Sequence, residues 1–115
     1  MSRSLSRRLV PDALWKLAAP LIPAFPPRPQ GGGTPPLDDR EVFAAIVFVL
    51  TSGSPWRRLP PSFAVSPATA HRRFLAWTRA GLWGSLRAVV QRESALDVGD
   101  REWAAAILDA AESSR

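Results

Sequence analysis

Arginine is the side chain with the most chemistry to offer in this sequence. From Val42 to Arg92 there are seven arginines (Arg57, Arg58, Arg72, Arg73, Arg79, Arg87 and Arg92) and no aspartate or glutamate. A guanidinium presents its donors in a planar fork that suits phosphate oxygens or the O6/N7 edge of guanine. Trp56, Phe74, Trp77 and Trp83 lie in the same stretch, so this one-sign segment predicts a surface that meets nucleic acid. The plainer alternative is a solvated basic surface. The chain has 14 arginines against one lysine, Lys16, and a net charge of +5, a bias that GC-rich coding DNA also produces.

Other chemistries find little support. There is no cysteine, which excludes disulfides, thiolate metal sites and cysteine nucleophiles. His71 is the sole histidine, and one imidazole without thiolates cannot build a zinc site. Ser62, Ser66 and His71 have no acid nearby to complete a nucleophilic triad. Gly31, Gly32 and Gly33 lead into prolines and an acidic helix start, the wrong setting for a phosphate-cradling loop. Beyond Arg92 the sign reverses, with six acids against two arginines in the last 23 residues. Asp97, Asp100, Glu102, Asp109 and Glu112 are loosely spaced for a metal site, and a solvated acidic tail is the simpler reading. The longest apolar run, Val42 to Leu50, is nine residues, too short to span a bilayer, and so predicts a core helix. The basic start, Met1 to Arg8, lacks the apolar run of a secretory signal. The expectation is a cytoplasmic, nucleoid-associated protein with no membrane partner.

Helices must position these groups. Residues 1–9 read as a loose basic arm. Leu14, Leu17 and Leu21 recur at helical spacing after Pro11, a residue suited to a first turn, and Pro20 should kink or end that helix. Pro23, Pro26, Pro27, Pro29, Pro35 and Pro36 with the three glycines form a linker-like loop. Asp38 is a natural N-cap, Asp39 and Glu41 suit the first turn, and Gly53 stops the helix. Residues 54–65 should be irregular, anchored by Trp56, Leu59 and Phe63, before Ser66-Pro67 starts a helix over about 67–80. On its wheel Ala70, Phe74 and Trp77 fall within about 60° of one another, with Thr69, Arg72, Arg73 and Arg79 inside roughly 120° elsewhere. Gly81 leads into a helix over 82–92 with Leu82, Leu86, Val89 and Val90 inward. After a break at 95–99, alanines favour helix over 100–109. The five tryptophans, at helical spacing among Leu and Val, belong to the core. The fold expected is an all-α bundle of four to five helices. It carries a divergent helix-turn-helix-like pair (39–51 and 67–80) and a Pro/Gly-rich loop; residues 1–9 are an arm, 10–93 the helical domain and 94–115 an acidic tail.

The blocks Gly33-Thr34-Pro35-Pro36-Leu37-Asp38-Asp39-Arg40, Thr51-Ser52-Gly53-Ser54-Pro55-Trp56-Arg57-Arg58-Leu59-Pro60-Pro61-Ser62-Phe63 and Arg72-Arg73-Phe74, with Trp77 and Ala80-Gly81-Leu82-Trp83, carry a resemblance. So do Leu9-Val10-Pro11-Asp12-Ala13-Leu14-Trp15 and Pro20-Leu21-Ile22-Pro23. Across residues 9–92 the chain resembles the N-terminal domain of bacterial insertion-sequence transposases of the DDE class. The resemblance implies a helical DNA-binding module ahead of an RNase-H-like catalytic domain that uses Mg²⁺ and three acids. It also implies that Trp103 to Asp109 matches the strand bearing the first catalytic acid, Asp109. The chain departs from the pattern at Thr34, where the family has arginine, and at Ser54, where it has cysteine. It also stops six residues after Asp109, where a helical or frayed tail is expected.

The expectation is therefore a truncated or split transposase that binds transposon terminal repeats and catalyses nothing on its own. It needs no cofactor itself, Mg²⁺ belonging to the full-length family. Arg57, Arg58, Arg72, Arg73 and Arg79 are the expected DNA contacts, with Arg3, Arg7 and Arg8 adding phosphate contacts. A second copy or a full-length transposase is the other partner implied. The rival readings are a protein–protein module that pairs with such a transposase, or with a separately encoded catalytic half, and a non-functional remnant.

Overall fold

Prolines and capping side chains set the helix boundaries. The structure, a computed structural model, describes residues 7–23 and 38–114. The Pro/Gly-rich loop with Thr34 lies outside the described residues apart from Pro23, as does Arg3 of the basic arm. Helix α1 (Asp12–Ala18) follows Pro11 and tightens into a 3-10 turn, Ala19–Leu21, where Pro20 removes a helical donor. Helix α2 (Asp39–Ser52) is capped by Asp38, whose carboxylate accepts from the Arg40 N–H at 3.1 Å. It ends at Gly53, whose φ of 72° lies in the left-handed region that glycine tolerates. The connector holds two 3-10 turns, Trp56–Arg58 and Pro61–Phe63. Helix α3 (Pro67–Arg79) opens on Ser66, whose hydroxyl accepts from the Thr69 N–H at 3.1 Å. Gly81, at φ 81°, turns the chain into α4 (Leu82–Arg92), and α5 (Val98–Ser113) completes an all-α fold without strands among the described residues.

Helix α2 is the centre of the packing. Val42 through Val47 are all fully buried, so this helix is apolar all round, as a helix surrounded by others must be. The Phe43 ring lies 5.7 Å from Trp15 of α1, 6.2 Å from Trp77 of α3 and 6.0 Å from Trp83 of α4. Trp77 and Trp83 are buried, and Trp15, Trp56 and Trp103 pack against the core from its edge, in keeping with the tryptophan pattern. Leu59 and Phe63 bring the irregular connector inward, as its anchors should.

The acid-rich C-terminal segment differs from the solvated tail its composition suggests. It forms α5, and Ala104, Ile107, Leu108 and Ala111 make a buried stripe at i, i+3, i+4 and i+7. The acids distract from this narrow stripe, and they stay on the outer surface. The helix also starts earlier than alanine content indicates, because the Asp97 carboxylate accepts from the Asp100 N–H at 2.7 Å. Two side chains dock α5. The Trp103 indole N–H donates to the Leu9 carbonyl at 2.8 Å, and Arg101 donates to the Val90 carbonyl at 2.8 Å and to that of Glu93, closing the C-terminus of α4. Residues 7–9 are accordingly helical.

Arg40 joins the first two helices, donating to the Val10 carbonyl at 2.7 Å and to the Asp12 carboxylate at 2.6 Å. That hydrogen bond, and then the charge of Arg40, holds the Asp12 carboxyl below the usual carboxylate range. A carboxyl with a lowered folded pKa favours the fold at neutral pH, and the contribution fades as pH falls through the folded value. Asp12→Asn should therefore melt below wild type at pH 7, the gap closing in strong acid, as thermal melts followed by circular dichroism would show. The buried Trp77 indole N–H has no acceptor among the described groups, so its contribution is shape and apolar area. Trp77→Ala is expected to cost about 3–5 kcal/mol. Trp77→Phe should cost clearly less, because no hydrogen bond is lost; denaturant titration of both variants checks this.

Candidate nucleic-acid interface

The tertiary structure divides the arginines into two groups. Arg40 and Arg101 are tied to backbone carbonyls as described above. Arg73, on the wheel a member of the cationic side of α3, turns to the first turn of α2 and meets Asp39 at 3.3 Å. Arg87 on α4 reaches across to α5, pairing with Asp109 at 3.0 Å and Glu112 at 2.9 Å. Its hydrogen bonds to Glu112 and then Asp109 raise its pKa further, so it stays charged at any working pH. By contrast Arg57, Arg58, Arg72 and Arg79 are exposed, and none of them forms an ion pair among the described residues.

Three of those four meet around one aromatic contact. Trp56, in the first 3-10 turn, is half-buried and stacks on His71 of α3 with ring centroids 5.0 Å apart and planes 25° from parallel. Its ring also lies 5.4 Å from Phe74 on the inner side of the same helix. The contact presses the turn that carries Arg57 and Arg58 against α3. The solvent-facing stripe of α3 is Ala68, His71, Arg72, Leu75 and Arg79, rotated from the wheel's cationic side because Arg73 is drawn inward. Arg72 donates to the Thr69 hydroxyl at 3.2 Å, which in turn bonds Ser66 at 2.9 Å, so the cap of α3 also orients its first exposed arginine. The sequence pattern alone does not single out His71 or Leu75 as members of this surface. Their signal was the i, i+4, i+8 row His71, Leu75, Arg79, visible once Phe74 and Trp77 fix the inner face.

Asp109 lies on the exposed side of α5, a helix here and not a strand, its side chain 74% accessible and engaged by Arg87. Among the described residues no three His, Asp or Glu side chains converge as metal ligands. Asp109 and Glu112 share one guanidinium, a donor set that fits a salt bridge and not a divalent ion, since ion pairs of the two-metal kind need several carboxylates. The Mg²⁺ that the resemblance implies therefore finds no fitting site in the described part of this chain. No helix among the described residues is long and apolar enough to cross a membrane.

Comparison with known proteins bears on the same segment. A family model described as "Putative transposase of IS4/5 family (DUF4096)" matches residues 10–87, a span that runs from α1 into α4 and contains Arg57, Arg58, Arg72 and Arg79. A curated relative, the "Insertion element IS402 uncharacterized 16.2 kDa protein" of Burkholderia cepacia, is 36% identical over 86 residues, covering 71% of this chain and 57% of the relative. The chain thus spans little more than half the length of that protein. No solved structure gives a significant match.

The division of the arginines has a direct consequence for stability. Arg73→Ala should lower it by about 0.5–1 kcal/mol, the scale of a partly exposed ion pair. Arg72→Ala and Arg79→Ala should leave it within about 0.5 kcal/mol of wild type. Urea titration of the three variants distinguishes the two groups.

Proposed function

The chain belongs to the IS4/5 transposase family, and from that premise we propose that it is a DNA-binding module that recognises transposon ends and performs no strand chemistry itself. The observation that carries this reading is the acid-free cationic surface made by the Trp56–Arg58 turn and α3, with Arg57, Arg58, Arg72 and Arg79 exposed. Helix α3 enters the major groove as the second helix of a divergent helix-turn-helix, and α2 braces it from within the core. Arg57 and Arg58 hold the phosphate backbone and fix the register. Arg72 and Arg79 reach phosphates or guanine edges. Arg73 serves from behind: its bond to Asp39 sets the pitch of α3 on α2, a positioning role in place of direct contact. The Trp56–His71 stack fixes the distance between turn and helix.

Binding through phosphate neutralisation weakens with salt by about one unit of log–log slope per phosphate contacted. Fluorescence polarisation with a labelled terminal-repeat duplex, at about 50 and 200 mM salt, is expected to show this steep loss. Arg57→Ala and Arg58→Ala should each reduce the slope by about one and weaken all duplexes alike. No binding at the lower salt would exclude the reading.

A further inference from the structure

One large apolar side chain stands in the middle of this cationic face. Leu75 is 39% exposed and does not belong to the core cluster. Val98, the other exposed large aliphatic among the described residues, sits at the first residue of α5, apart from the arginine face. Leu75 lies three residues after Arg72 and four before Arg79, so all three project from one side of α3. At a helical rise of 1.5 Å per residue, Arg72 and Arg79 are about 10 Å apart along the axis, close to the ~12 Å width of a major groove. Ala68, on the same stripe, is small enough to let the helix approach closely, and α3 carries no acid.

A leucine has nothing to offer a phosphate or a hydrogen-bonding base edge. Within the major groove its one favourable partner is the C5 methyl group of thymine, the apolar feature that marks T·A pairs there. Resting on the DNA-binding reading above, we infer that Leu75 is a specificity-determining residue that packs on a thymine methyl, at a base pair lying between the contacts of Arg72 and Arg79. The arginines anchor the helix at the two rims of the groove, and the leucine between them selects the base by burying its methyl. Burying one methyl group corresponds to a preference of about fourfold in affinity.

The test uses the full chain and replaces thymine by deoxyuridine, which removes the methyl and leaves the hydrogen-bonding edge intact. Duplexes are selected by the wild-type protein from a randomised library, and each thymine in the bound site is then replaced singly. Wild type is expected to lose about fourfold at one thymine. Leu75→Ala should bind the thymine duplex about fourfold more weakly and be indifferent to that same replacement. The substitution is at an exposed helical position, and its melting curve should match wild type. If every deoxyuridine duplex binds wild type as tightly as its thymine parent, or if Leu75→Ala still loses the same factor on replacement, the assignment to Leu75 falls while DNA binding stands. If no duplex is enriched or bound at all, the DNA-binding reading falls and the assignment falls with it.

Discussion

The burial of α2 on all sides is the constraint from which the rest of the molecule follows. A helix that is apolar around its whole circumference can exist in water only if neighbours cover it completely. Phe43 shows how this is met: the tryptophans of α1, α3 and α4 converge on its ring, each tilted pair adding about 0.5–1.5 kcal/mol beyond area burial. Every flanking helix must then turn an apolar stripe inward and its charges outward. The sidedness of α3 is a consequence of this demand. Trp77 meets Phe43 of α2 and Phe74 is buried against Trp56 and Trp83, so His71, Arg72, Leu75 and Arg79 face solvent.

Electrostatics acts after packing has fixed these directions. The arginines that can reach a carboxylate or a buried carbonyl do so: Arg40, Arg73, Arg87 and Arg101. Exposed pairs of this kind contribute at most about 1 kcal/mol each, so their effect is on registry more than on stability. They hold α1 on α2, α3 on α2, and α5 on α4. Arg57, Arg58, Arg72 and Arg79, on the Trp56–Arg58 turn and α3, form no ion pair among the described residues and stay exposed. Fixed charge on a rigid scaffold suits recognition of a polyanion, since little side-chain or backbone order has to be imposed on binding.

Family membership and geometry point to the same segment for independent reasons. The family match ends at residue 87, before α5 begins, yet α5 supplies buried side chains to the one core and the partners of Arg87. An acid-rich helix of this kind neutralises basic groups that belong to the scaffold, while the α3 surface keeps its charge. Asp109, the residue that resemblance marks as a catalytic acid, is here a structural partner of Arg87.

Much of the fold was legible in the chain because its devices are local. Asp38, Gly53, Ser66-Pro67 and Gly81 act on backbone groups within four residues, and the structure places each at the boundary its chemistry predicts. The stripe of α5 was harder to read, because its four acids overshadow four small or aliphatic residues at the right spacing. The candidate surface was legible in outline, as Arg57 and Arg58 with the cationic side of the 67–80 wheel, but not which of those arginines an ion pair withdraws. By itself the sequence determined the helices, their ends and the sign of the charge, since these depend on neighbours along the chain. Which arginines face solvent was decided by tertiary structure alone. The partners that withdraw Arg73 and Arg87 lie 34 and 22 residues away in sequence, and only packing around α2 brings such distant groups within reach of an ion pair.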